Sequence, residues 1–65
     1  MNDTITFKEC IEWLEKLAKC YNMLDKGKSK KRLKIEIEGI AFMIEELFDT
    51  YIYTDYLGKY VTISY

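Results

Sequence analysis

The sequence predicts an α+β fold, an antiparallel helical hairpin followed by a C-terminal β-hairpin. Three observations carry that expectation. Cys10, Leu14, Leu17, Tyr21 and Leu24 step by 4, 3, 4 and 3, and Leu33, Ile37, Ile40, Ile44, Leu47 and Tyr51 repeat the rhythm. A lysine-rich stretch, Lys26 to Arg32, separates the two ladders. Beyond Asp49 the composition turns β-branched and aromatic, with five of the six tyrosines between Tyr51 and Tyr65. Residues three and four apart share a helical face, whereas β-branched and aromatic side chains favour strands.

Helix one opens at Thr6. Glu9 stands three residues on, so hydroxyl and carboxylate can form a capping box, with Ile5 placed as the staple residue before it. Phe7, Cys10, Ile11, Leu14, Leu17, Ala18, Tyr21 and Leu24 fill one arc of the helical wheel. Glu12–Lys16 and Glu15–Lys19 lie opposite, glutamate first, the better order for pairs four apart. Gly27 suits the position after a helix end, and Ser29 is the expected cap of the next helix.

The second segment admits two readings. As a helix from Ser29 to about Tyr51 it keeps its ladder in phase and adds Ala41 and Phe48 to the same face. As a strand at 33–38, Leu33, Ile35 and Ile37 alternate with Lys34, Glu36 and Glu38 before Gly39 and a shorter helix, an α-β-α-ββ order. Good helix formers dominate, which favours the long helix. Gly39 then costs about 1 kcal/mol against alanine, and its use would be to admit another backbone. At the C-terminus, Tyr51–Tyr53 and Lys59–Tyr65 read as strands around an Asp55–Gly58 turn.

Sixty-five residues make one domain, 1–65. A chain this short buries only about 60% of its unfolded surface, so self-association is expected to supplement the core. With no histidine and two cysteines, no tetrahedral zinc site is complete, and no cofactor is called for. Cys10 and Cys20, ten residues apart on one helix, stand about 15 Å apart. That is beyond the roughly 7 Å that a disulfide bridges. Free thiols fit a reducing compartment. The acidic Met1-Asn2-Asp3 start is unlike a signal peptide, and no apolar run spans a bilayer, so a cytoplasmic protein without membrane contact is expected.

The net charge of −1 is unevenly spread, because Asp25 to Lys34 is strongly basic and the remainder acidic. Lys28, Ser29, Lys30, Lys31 and Arg32 therefore form the candidate anion site, at a helix start whose amides attract negative charge. Gly27-Lys28-Ser29 resembles the end of a P-loop, but Asn22 occupies the position of the required first glycine and a helix leads in. Trp13, Ile35 and Phe42 fall outside the ladders, and one hairpin partner cannot cover both sides of a helix. With Tyr51, Tyr53, Tyr56 and Tyr60 they are the candidate interface residues, being apolar or aromatic anchors of the kind binding surfaces use.

Catalysis has little foundation. No histidine serves as a base near neutral pH, and Ser29 and Ser64 lack activating partners. Glu45-Glu46 with Asp49 reads as a solvated acidic face. The expected function is non-enzymatic binding, as an oligomerising adaptor or stoichiometric inhibitor of the phage or mobile-element accessory type. The partners are a second copy and an unidentified protein. The alternative is an anionic nucleotide held at the basic loop with tyrosines stacking across an oligomer, while nucleic acid is possible but not favoured.

Overall fold

The computed structural model describes residues 5–65. The Met1–Asp3 segment weighed above lies outside them. The order of elements is α1 (Phe7–Met23), α2 (Lys28–Phe48), β1 (Tyr53–Leu57) and β2 (Tyr60–Ser64). This is the helical hairpin with a C-terminal antiparallel β-hairpin, and residues 33–38 are helical. The ladder explains why: a strand there would break the row that carries Ile37, Ala41 and Ile44 into the core.

The Thr6 hydroxyl accepts the Glu9 amide at 3.1 Å, and the Glu9 carboxylate accepts the Thr6 amide at 2.9 Å, closing the capping box. Ser29 does not cap α2. Gly27 holds that position with φ of 121°, and no side chain bonds the first turn. The lysines on either side of Ser29 are themselves helical, so the cap falls one residue before Lys28. At the other end α2 stops at Asp49, which adopts φ of 52° in the left-handed region, rather than running to Tyr51.

The β-turn is displaced from the expected Asp55–Gly58. Leu57 pairs with Tyr60, leaving Gly58 and Lys59 as a two-residue loop, and the register continues to Tyr53 opposite Ser64. Gly58 has φ of 63° while Lys59 has no positive φ, the arrangement of a type II′ turn. Aspartate is depleted in strands, which made Asp55 read as a turn residue; here it is an exposed strand position paired with Thr62.

Leu14, Ile37, Ile44 and Cys10 are fully enclosed where the two helices meet, and Ile52 and Val61 bring the C-terminal segment onto them. Phe7 meets Phe48 edge-on at 5.5 Å and Tyr65 at 6.0 Å, closing the end opposite the basic loop. The body measures 41 × 23 × 14 Å, too thin for every helical face to find cover. Among the described residues no helix is long and apolar enough to cross a membrane.

Candidate interaction surface

Among the described residues, three buried or half-buried polar fastenings attach the C-terminal segment to one side of the helical pair. The Asn22 amide donates to the Val61 carbonyl at 3.0 Å, and its oxygen accepts the Val61 N–H at 2.7 Å, imitating a strand partner. The Glu45 carboxylate accepts the Ile52 N–H at 2.7 Å where the chain leaves α2. The third fastening is Lys30. Its Nζ donates to the carbonyls of Tyr21, Leu24 and Lys59 at 2.7, 2.8 and 2.7 Å and lies 3.8 Å from the centre of the Tyr21 ring.

Lys30 is only 7% exposed. Its ammonium has three protons and three acceptors, and two of those acceptors end α1, where the helix dipole is negative. The structure thus separates Lys30 from the rest of the basic cluster: its charge faces inward and joins helix to turn. Lys28, Ser29, Lys31 and Arg32 remain exposed. The signal was present in the sequence. Position 30 precedes Leu33 by three and Ile37 by seven, so it continues the core ladder rather than the solvent face.

The same fastening relocates the tyrosines. With the chain reversing after α2, the Gly58–Lys59 turn returns to the α1–α2 loop, so no second subunit is needed to bring Tyr56 and Tyr60 near the lysines. Lys34 Nζ stands 4.7 Å above the Tyr56 ring, Tyr21 meets that ring edge-on at 5.7 Å, and Lys59 lies 5.8 Å from the Tyr60 ring. Lys59 also pairs with Asp25 at 3.2 Å, which raises the lysine above its ordinary range. Burial, reinforced by the Glu38 carboxylate, pushes the Tyr56 phenol up to about 12. Its enclosed hydroxyl makes no hydrogen bond of good geometry among the described residues. Lys26, Lys31, Lys34 and Lys59, with Asp25, Gly27 and Gly58, line an open cleft of about 320 Å³. Lys26, Lys34 and Lys59 were not among the expected site residues; the returning turn, invisible to helical periodicity, adds the last. Tyr51 and Tyr53 pack on each other at 5.4 Å beyond the other end of α2, away from this cleft.

The opposite side of the helical pair is bare. Nine residues at about 100° each place Trp13 half a turn away from Asn22, hence away from β2. Trp13 is 44% exposed, and with Leu17, Glu36, Gly39 and Ile40 it lines a shallow groove of about 350 Å³. Ile35 and Phe42 project from the back of α2, 72% and 62% exposed. Gly39 serves no close approach within the subunit, since a Cβ there would meet nothing within 4 Å. The chain matches no known protein-family model, no curated protein and no solved structure.

Proposed function

We propose that this protein is a non-enzymatic binding module that self-associates and holds a protein partner stoichiometrically, as an adaptor or inhibitor of the accessory kind found in phages and mobile elements. One observation carries this reading: Trp13, Ile35 and Phe42 stay exposed on helical faces while the C-terminal hairpin covers a different side. Large apolar side chains gathered on an uncovered face are the usual mark of an interface, and tryptophan is a favoured anchor. Cys10 and Cys20 are both free, which supports a cytoplasmic setting. Light scattering across concentration, together with capture from a host lysate by wild type and by Trp13→Ala, tests the reading. A particle that is monomeric at millimolar concentration and captures nothing that Trp13→Ala loses would end it.

A second reading has its own support. The lysine-lined cleft beside Tyr56 and the α2 N-terminus suits an anionic ligand of nucleotide size. Titration with ATP and with inorganic phosphate at two salt concentrations tests it. Lys26, Lys31 and Lys34, which line the cleft, are neutralised with glutamine together with Lys28 and Arg32 at the helix start; Lys30 must be spared because its loss acts on the fold. Salt-insensitive binding, or binding that survives the neutralised variant, would dismiss this alternative.

A further inference from the structure

Resting on the self-association proposed above, we infer that the outer face of α2 is a self-complementary seam, where a second copy of this chain docks antiparallel about a two-fold axis at Gly39. Positions 28, 32, 35, 39, 42, 46 and 49 step by 4, 3, 4, 3, 4 and 3, and every one is exposed. This is a complete coiled-coil row on the side of the helix turned away from α1. Its chemistry is ordered along its length. Lys28 and Arg32 begin it, Ile35, Gly39 and Phe42 form the middle, and Glu46 and Asp49 end it.

An antiparallel pair centred on Gly39 matches each layer with its complement. Lys28 meets Asp49 of the second copy, Arg32 meets its Glu46, and Ile35 meets its Phe42. A parallel pair would stack lysine on lysine and glutamate on glutamate. The row therefore specifies both the occupant and its direction.

Two further features of α2 acquire a reason. Its first turn contains no acid and its last turn no base, so its charges run against its own dipole. An antiparallel neighbour sets the acidic end of one helix beside the basic end of the other and reverses that penalty. Gly39 is unused inside the subunit. At the centre of the seam, the missing Cβ lets the two backbones approach. One helix face makes a small contact, in the weak class below about 1,200 Å², so a micromolar dimer is expected.

Sedimentation equilibrium of the full chain from micromolar to millimolar concentration, in low salt, tests the seam. Arg32→Glu or Glu46→Arg alone should weaken the dimer by roughly tenfold or more, and the double variant should restore it. Gly39→Leu should abolish the dimer without lowering the unfolding temperature, since leucine is the better helix former. Circular dichroism of each variant shows that the exposed substitutions leave the fold intact. A dimer indifferent to the single reversals, or one that the double reversal does not rescue, would overturn the seam while leaving self-association through another surface standing. A wild-type monomer at millimolar concentration would overturn both.

Discussion

α1 and α2 share one core but are completed differently. α1 closes its N-terminus with the Thr6–Glu9 box, and the Lys30 ammonium takes up the Tyr21 and Leu24 carbonyls at its C-terminus. Its apolar arc is divided between α2 and β2, which leaves mainly the Trp13 flank open. α2 begins at a glycine with no side-chain cap, ends at an aspartate in left-handed geometry, and presents Ile35 and Phe42 to solvent. One helix is finished by its own subunit; the other carries features that only a neighbour would use. Stability should therefore be concentrated around the ends of α1, and binding along α2.

The largest expected effect isolates that contrast within a single run of basic residues. Lys30→Met keeps the aliphatic stem but takes the ammonium from the carbonyls of Tyr21, Leu24 and Lys59, the Tyr21 carbonyl keeping the Leu24 N–H at 3.2 Å. A loss of about 3 kcal/mol is expected, because unpaired buried groups bear their full desolvation cost. Lys31→Met, one residue along and solvent-exposed, should stay within about 0.5 kcal/mol. Urea denaturation followed by circular dichroism checks both. Equal effects at the two positions would mean that the carbonyl cage is not holding the fold.

Asn22→Ala comes next. It removes both hydrogen bonds to Val61 and releases β2 from α1, for an expected loss of about 2 kcal/mol. Because Val61 is buried, its amide would then have to find water. Amide hydrogen exchange should show Val61 losing protection while Leu14 and Ile44 keep theirs. Uniform loss across all three would indicate that the hairpin and the helices unfold as one unit.

These two residues also show where sequence reasoning reached and where it stopped. The helical hairpin was legible because the ladders are long and in phase, and the exposed trio Trp13, Ile35 and Phe42 because it breaks phase. Lys30 and Asn22 were harder, since each is a polar residue at an apolar register, and composition files both under surface. Asn22 follows Ala18 by four and Ile11 by eleven, so periodicity alone puts it inside. Only the return of β2 reveals what it bonds. Asp55, a poor strand former, points to a turn at 55–58, whereas Gly58 followed by Lys59 is itself a hairpin signal and is where the chain reverses. Proximity of Tyr56 to the lysines depends on that turn and could not be reached by reading one helix at a time.

A smaller effect is expected where α1 begins. Thr6→Ala removes one half of the capping box and should cost about 1 kcal/mol. The other half makes the cap pH-dependent. Hydrogen bonds from the Thr6 amide and hydroxyl hold the Glu9 carboxyl below its ordinary value of 4.5. A lowered folded value means that its contribution is complete above the unfolded value and disappears as pH falls through the folded one. Glu9→Gln, which removes the titrating carboxylate, should therefore flatten the acid limb of the stability profile below about pH 4.5, whereas Thr6→Ala keeps the amide bond to Glu9 and most of that limb. An unchanged acid limb would show that Glu9 is not protonated in step with loss of the cap.

The smallest effect belongs to the unfinished end of α2, and it has the opposite sign. Asp49 stands at φ of 52°, where a side chain crowds its own backbone and glycine does not. Asp49→Gly should raise stability by about 0.5 kcal/mol, the relief of strain being partly offset by a freer unfolded chain. Dilution decides what the aspartate is for. At concentrations well below the dissociation constant of the dimer, where the seam is open, the full gain should appear in the unfolding temperature. Near millimolar concentration it should shrink, because the substitution also removes a carboxylate facing Lys28 of the second copy. A gain that is the same at both concentrations would mean that Asp49 makes no contact across the seam, and that its strained geometry serves only to end the helix.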